Sequence, residues 1–110
     1  MIKIIAGKYK NRKLKYFNIQ SVRPTQARVR KSMFDTLGNI EGKTVLDIFC
    51  GIGTIGIEAL SREVRFVKFI DYNIKALNVL KKNLNLLDID KESYSVVKND
   101  VKNYLINEKK

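Results

Sequence analysis

Three aspartates follow three predicted strands, and the first of them stands beside a glycine-rich turn. Asp47 lies near the end of the first strand, Asp71 directly follows the second, and Asp100 follows the third after Asn99. The turn contains three glycines: Gly51, Gly53 and Gly56. Since ligands of parallel α/β sheets bind outside the carboxyl ends of the strands, we expect these residues to face one crevice. Glycine lets the backbone turn sharply and approach a ligand with no Cβ in the way.

This arrangement suits an adenosyl ligand with a cationic tail. A carboxylate at Asp71 can accept both ribose hydroxyls, and one at Asp100 can accept from the adenine amino group. Asp47 would repel a pyrophosphate but attracts the ammonium and sulfonium groups of S-adenosyl-L-methionine, which we therefore predict as the cofactor. The predicted cofactor-binding residues are Asp47, Phe49, Gly51, Gly53, Asp71, Tyr72, Asp100 and Val101.

Other interpretations of the same residues stay open. The glycines also match the dinucleotide pattern G-x-G-x-x-G, with Asp71 twenty residues after Gly51, which would fit NAD. In dinucleotide sites, however, the strand runs almost directly into the first glycine, whereas Asp47 stands four residues before it. A tight turn without a ligand would also need glycine, and Asp71 and Asp100 could be helix caps. Cys50 is interpreted as a packing residue of the turn.

The elements that must position these residues alternate along the chain. Apolar runs at 44–49, 65–70 and 93–98 predict strands, and the first has the apolar density of a strand buried on both sides. A helix is predicted after the glycine turn, and another starts at 101. Between them, Ile74, Leu77, Leu80, Leu84 and Leu87 recur at the spacing of an amphipathic helix. This alternation predicts a parallel α/β unit.

The first forty residues predict a basic hairpin and a helix. Strands at 2–6 and 14–17 would flank a turn at 7–12. After Pro24, Thr25 could cap a helix that ends at Gly38 and Asn39. The predicted buried face of that helix is Val29, Met33, Phe34 and Leu37, which would leave Arg28, Arg30 and Lys31 free to meet a ligand.

The positive charge is concentrated in this arm. The chain has a formal net charge of +11, and residues 1–34 hold ten basic residues and no acidic one, whereas the remainder is nearly neutral. Such a distribution favours a phosphate-backbone partner, which we predict to be RNA, over a solvated lysine-rich surface. The predicted RNA-binding residues are Lys8, Lys10, Arg12, Lys13, Arg23, Thr25, Arg28 and Arg30.

Length and composition narrow the class of protein. A chain of 110 residues holds one domain, which we divide into a basic arm at 1–40 and a ligand-binding half-domain at 41–110. The absence of histidine excludes His-based acid–base chemistry and His metal ligands, and we predict no metal site. One cysteine gives no disulfide, and there is no bilayer-length apolar run or signal peptide, so we expect a cytoplasmic protein.

Three segments in register, 4–14, 23–30 and 45–62, closely resemble the RsmD family of bacterial 16S ribosomal RNA guanine-N2 methyltransferases. The resemblance implies a Rossmann-like class I methyltransferase fold, S-adenosyl-L-methionine, and methylation of a guanine amine in 16S rRNA or the small ribosomal subunit. By position, Asp47, Gly51 and Gly53 would belong to the cofactor loop, Asp71 would bind ribose and Asp100 adenine. The 23–30 stretch would border cofactor and RNA.

One family motif is missing. The Asn- or Asp-Pro-Pro-Tyr/Phe sequence that holds the target amine is absent, because Pro24 is the only proline in the chain. No catalytic residue is therefore assigned, and we expect residues 1–110 alone to methylate RNA poorly. The fold would be truncated after the third parallel strand, which leaves the 45–49 strand as an open edge. We therefore expect a fragment of a longer enzyme, a shortened copy, or a protein that self-associates through that edge.

Three other functions remain open beside the methyltransferase. The first is a non-catalytic RNA-binding module, which would bind RNA without S-adenosylmethionine. The second is a DNA-adenine methyltransferase, which the first three strands do not distinguish, although the arm favours rRNA. The third is an NAD-binding protein.

Overall fold

A computed structural model describes residues 2–16 and 26–108, with side chains described as far as 105. The arm contributes strands β1 (Ile2–Lys3) and β2 (Lys13–Leu14) and helix α1 (Ala27–Leu37). The following elements are β3 (Thr44–Ile48), α2 (Thr54–Ser61), β4 (Phe66–Asp71), α3 (Ile74–Leu86), a 3₁₀ turn (Lys91–Ser93), β5 (Tyr94–Lys98) and α4 (Val101–Glu108). The predicted alternation of strands and helices from residue 44 onward is therefore confirmed. No helix within the described ranges combines the length and apolar character needed to span a membrane.

The main sheet has three parallel strands in the order β3-β4-β5. This sheet, with the helices that connect its strands, confirms the predicted Rossmann-like α/β class. Its centre is β4, whose Val67, Phe69 and Ile70 are fully buried. Beside it, α3 buries Leu77, Leu80 and Leu84, as the helical spacing predicts. Ile74, at the first turn of α3, is exposed.

Strand β3 lies at the edge of this sheet. Within the described residues it pairs with β4 on one side only, and Leu46 and Ile48 are 48% and 39% exposed. The prediction that this strand is buried on both sides is wrong, because Leu46 and Ile48 face an open groove beside α1 that no other described element fills. The expectation of an open apolar edge is confirmed.

The basic hairpin forms, but its strands are shorter than predicted. Lys3 pairs with Lys13 and Ile2 with Leu14 in antiparallel register. Beyond Ile4 the chain leaves the ladder, because the N–H groups of Ile5 and Ala6 donate to the carboxylate of Glu58 on α2 at 2.9 and 3.1 Å. Residue 17, the predicted end of the second strand, lies outside the described residues.

The predicted buried face of α1 is wrong. Phe34 is buried as expected, but Val29, Met33 and Leu37 are 46%, 40% and 58% exposed. Arg30 turns inward instead, because its guanidinium donates to the Lys3 carbonyl at 2.6 Å and pairs with the buried Glu58. The N-cap position of the helix is Gln26, which makes no side-chain cap hydrogen bond, and Gly38 ends the helix as predicted. The predicted cap, Thr25, lies outside the described residues.

The arm and the sheet share one hydrophobic core. Ile4, Leu14 and Phe34 from the arm are buried in the same cluster as Ile57 and Phe69. Helix α2 contributes polar contacts as well, since the Ser61 hydroxyl donates to the Ala6 carbonyl at 2.6 Å. The arm is thus packed against the sheet domain, and the division at residue 40 stays a prediction.

Candidate functional site

Two of the three predicted carboxylates meet in one cavity. Asp47 in β3 and Asp71 at the end of β4 both line a cavity of about 840 Å³, which runs from the carboxyl ends of these neighbouring strands along the open edge of β3. Phe49, Gly51 and Tyr72 line it too. Five of the eight predicted cofactor-binding residues therefore line the same cavity.

Asp47 is a buried carboxylate in the wall of this cavity. Its Oδ2 accepts a hydrogen bond from the Gly56 N–H at 3.0 Å. Burial raises the pKa of Asp47 to about 6; the Gly56 hydrogen bond partly offsets this rise, and the negative charge of Asp71 adds to it. A cationic ligand would compensate the ionised form, so the site favours a ligand with a positive group near Asp47.

Asp71 is held firmly by the backbone around it. Its Oδ2 accepts from the Gly51 N–H at 2.8 Å and its Oδ1 from the Asn73 N–H at 2.9 Å. Each carboxylate oxygen has a second acceptor site, so Asp71 can still accept two ligand hydroxyls. Its orientation is set before any ligand arrives.

Phe49 stands at the mouth of the cavity in an unusual backbone conformation. Its φ is 56°, in the left-handed region that a bulky residue rarely adopts, and two-thirds of the residue is exposed. Strain of this kind is retained where the surrounding structure enforces it, often at ligand sites. Phe49 follows β3 directly, where an aromatic face can cover a ligand.

Two of the three glycines serve packing. A Cβ on Gly53, whose φ is 87°, would stand 2.2 Å from Cδ1 of Leu80, and Gly53 does not line the cavity. A Cβ on Gly56 would stand 2.2 Å from Cε1 of Phe69. These positions need glycine because the turn is pressed against the core. The expectation that Gly53 borders the ligand is therefore not supported by its place in the structure.

Asp100 and Val101 also lie outside the cavity lining. The Oδ1 of Asp100 accepts from the N–H groups of Lys102 and Asn103, which makes Asp100 the cap of α4, and Val101 is buried. Because β4 separates β5 from β3, the two strand ends are roughly 10 Å apart, at about 4.8 Å per strand. Of the three carboxylates predicted to line one crevice, Asp47 and Asp71 do so and Asp100 does not.

Some lining residues were missed from the sequence. Asn73 lines the cavity and caps α3, since its Oδ1 accepts from the N–H groups of Lys75 and Ala76. An asparagine just before an amphipathic run was the signal that could have found it. Thr54 and Cys50 line it too. Burial raises the pKa of the Cys50 thiol, which agrees with a packing role.

The cavity continues along the open edge of β3. Its lining there is apolar and comes from α1 and β3, namely Met33, Phe34, Leu37, Leu46 and Ile48. A second, smaller depression between Arg28 and Leu37 extends the same side of α1. Met33 and Leu37, which the helix prediction expected in the core, therefore face this open groove.

The predicted RNA-binding residues do not share one surface. Five are exposed: Lys8, Lys10, Arg12, Lys13 and Arg28. The prediction that Arg30 binds RNA is wrong, because Arg30 is 2% exposed and its guanidinium pairs with Glu58 in the protein interior. Arg23 and Thr25 lie outside the described residues. The turn of the hairpin contacts the last turns of α2 and α3, at the end of the sheet opposite the cavity.

The comparisons with known proteins agree with this geometry. The family model described as "Conserved hypothetical protein 95" matches residues 2–110. Ribosomal RNA small subunit methyltransferase D of Haemophilus influenzae is 39% identical over 97 residues, which cover 87% of this chain and 50% of that protein. The solved structure of hypothetical protein TTHA0928 from Thermus thermophilus has a TM-score of 0.82 at 30% identity, and the match covers 99% of this chain and 61% of that one.

A more distant structure shows the fold alone. SMU.776, solved as a complex with SAH, has a TM-score of 0.64 at 20% identity, over 74% of this chain and 21% of that one. The chain spans about half the length of the curated relatives it matches. With the model match over nearly all of its residues, the chain belongs to the Conserved hypothetical protein 95 family, the family of ribosomal RNA small subunit methyltransferase D.

Proposed function

We propose that this chain provides the cofactor-binding part of an S-adenosylmethionine-dependent methyltransferase that modifies a guanine N2 of 16S rRNA in the cytoplasm. The observation that carries the proposal is that Asp47 and Asp71 line one cavity at the ends of adjacent parallel strands. Family membership supports the reaction class, and the relatives' names support ribosomal RNA as the substrate class.

Each wall of the cavity has a role in this proposal. Asp47 faces the cationic methionine portion of the cofactor, and Asp71 accepts the ribose hydroxyls. Phe49 and Tyr72 cover the ligand from the mouth of the cavity, where both are exposed. For the adenine contact of Asp100 the support is the family resemblance, since this side chain caps α4.

The bound cofactor would supply an electrophilic methyl group, and the chain's own residues hold and orient it. Asp71 is fixed by two backbone N–H groups, and Asp47 by one, so the pair is preorganised for one cofactor orientation. Orientation of the guanine amine needs the Asn- or Asp-Pro-Pro sequence, which this chain lacks. Methyl transfer by residues 1–110 alone should therefore be weak.

The competing functions predict different ligands. An NAD-binding protein would place a pyrophosphate near the first strand end, where the buried Asp47 carboxylate repels it. A non-catalytic RNA-binding module would bind RNA but give no heat with S-adenosylmethionine. A DNA-adenine methyltransferase would prefer DNA over rRNA as its nucleic acid.

Calorimetry at pH 7.5 tests the cofactor assignment. We expect S-adenosylmethionine to bind and NAD not to bind, and Asp47→Asn to weaken S-adenosylmethionine at least tenfold. Asp35→Asn is the matched control, because Asp35 is exposed and pairs with Lys31 on α1. Tight binding of NAD, or unchanged S-adenosylmethionine binding by Asp47→Asn, would refute the proposal.

We also propose that the open edge of β3 is a pairing surface for a second copy of this chain. The support is the row of exposed apolar side chains at Leu46 and Ile48, next to Met33 and Leu37. Leu46→Lys should lower the sedimentation-average mass at high concentration. Leu86→Lys, an equally exposed leucine at the end of α3, is the control. A monomer at all concentrations would contradict the pairing.

A further inference from the structure

We propose that the outward side of α3 and the hairpin beside it form one RNA-binding face, here called the α3 face. Its residues are Lys3, Lys13 and Lys15 of the hairpin segment and Lys75, Lys81 and Lys82 of α3. The partner is a phosphodiester backbone of RNA, so the inference rests on the proposed rRNA substrate. The α3 lysines lie in the part of the chain whose net charge is nearly neutral. The charge distribution along the sequence therefore points to the arm and not to these lysines.

Helix α3 is basic on its solvent side and contains no acidic residue. Residues 72–87 contain three lysines and no Asp or Glu, and all three lysines are exposed. An ordinary solvated helix surface mixes both signs at three- and four-residue spacing. Asp71, four residues before Lys75, belongs to β4 and accepts from the Gly51 and Asn73 N–H groups, and α3 itself contains no acidic residue. The excess of positive charge along this helix favours an anionic partner.

The hairpin adds a pair of like charges. Lys3 and Lys13 are directly opposite each other in the β1–β2 ladder, and both are exposed. Like charges in this position destabilise a strand pair. Their neighbours Ile2 and Leu14 face the core, so the two lysines project outward together. A phosphate between them would relieve the repulsion.

Specific contacts make the hairpin and α3 one surface. The Lys15 N–H donates to Oδ1 of the fully buried Asn83 at 2.7 Å, and the Asn83 amide donates back to the Lys15 carbonyl at 3.1 Å. Arg12 donates to the Leu86 carbonyl at 3.2 Å. The backbone beside Lys15 is therefore fixed against α3, and the positive charges keep constant spacing.

The α3 face starts at the cavity. Asn73, which caps α3, lines the cavity, and the helix then runs for 13 residues, about 20 Å at 1.5 Å per residue, toward the opposite end of the sheet. Lys75 and Lys82 are two turns apart, about 10 Å, on one side of the helix. An RNA strand bound along this path would pass the mouth of the cofactor cavity.

The salt dependence of RNA binding tests the inference. We would measure the Kd of the unaltered protein, of Lys75→Gln/Lys82→Gln and of the control pair Lys91→Gln/Lys98→Gln for a 16S rRNA fragment at four salt concentrations. Both control lysines are exposed and lie outside the cavity lining and the α3 face. Removing two phosphate contacts should reduce the slope of log K against log salt by roughly 1.4 to 1.8, whereas the control pair should leave it unchanged. Lys75→Arg/Lys82→Arg should restore the slope, and thermal unfolding checks that each variant is folded.

The outcomes separate this inference from the proposed function. RNA binding with the same slope in Lys75→Gln/Lys82→Gln as in the unaltered protein overturns the α3 face and leaves the rRNA substrate standing. Absence of RNA binding by the unaltered protein overturns both. Equal loss in the control pair shows a diffuse charge effect and also overturns the face. Tighter binding of duplex DNA than of RNA would assign the face to another nucleic acid and refute the proposal as stated.

Discussion

Lowering the pH from 7 to 5 should weaken binding of S-adenosylmethionine about tenfold, because Asp47 takes up a proton. With a pKa of about 6, Asp47 is about nine-tenths ionised at pH 7 and about one-tenth ionised at pH 5. The cationic cofactor binds the ionised form, and so the observed association constant follows the ionised fraction. Affinity is therefore lost as the pH falls through 6.

The stability of the ligand-free protein should change in the opposite direction. Since burial raises the folded pKa of Asp47 above its ordinary value of 3.8, ionisation destabilises the fold. The penalty is absent below about pH 4, grows as the pH rises, and is complete above about pH 6, where it amounts to roughly 3 kcal/mol. Asp47→Asn should therefore gain stability relative to the unaltered protein between pH 4 and pH 6.

Two measurements check this reasoning. Calorimetric titration at half-unit steps from pH 5 to pH 8 gives the affinity, and urea unfolding over pH 4 to 8 gives the stability difference. Asp47→Asn should show weak cofactor binding with a nearly flat pH profile. An affinity that stays constant between pH 5 and pH 7 in the unaltered protein would show that Asp47 does not meet the cofactor's charge.

Two further changes test how the site is supported. Glu58→Gln should lower the free energy of unfolding by about 3 to 5 kcal/mol, because it breaks the buried ion pairs of Glu58 with Arg30 and Arg62. The exposed Glu63→Gln should change it little, and an equal loss in both variants would contradict a stabilising role of these ion pairs. Gly53→Ala should destabilise by more than Gly42→Ala in denaturant unfolding, since both have positive φ but only Gly53 would bring a Cβ against Leu80. Equal losses would mean that backbone strain alone is responsible.

The central elements could be predicted from the sequence because local patterns determine them. The apolar run of β4 predicts a buried strand, and the three- and four-residue spacing of α3 predicts a helix with one apolar side facing the core. The structure buries Phe69, Leu77 and Leu84 as these patterns predict. Asp47 and Asp71 could be placed together for the same reason, since adjacent parallel strands end at the same edge of the sheet.

Helix α1 could not be predicted in the same way. Its apolar spacing favours the Val29 side, but the buried side is set by Glu58, a residue 28 positions beyond Arg30. A carboxylate that is fully buried in α2 needs cations and N–H donors; Arg30 supplies one cation at 3.5 Å, and Arg62 supplies a second at 3.0 Å. The apolar periodicity of α1 does not indicate that Arg30 will pair with Glu58. The apolar side of α1 is consequently left beside the open edge of β3.

Helix α2 connects the basic arm to the glycine turn. The helix begins at Thr54, which lines the cavity, and ends at Ser61, whose carbonyl accepts from the Lys8 N–H at 2.9 Å. A Cβ on Gly7 would stand 1.9 Å from that carbonyl oxygen, so glycine is required for the hairpin to dock. An eight-residue helix, about 12 Å long, is too short to bend appreciably. Because the same short helix contacts the hairpin at its end and borders the cavity at its start, one element positions both the arm and the glycine turn beside Asp47.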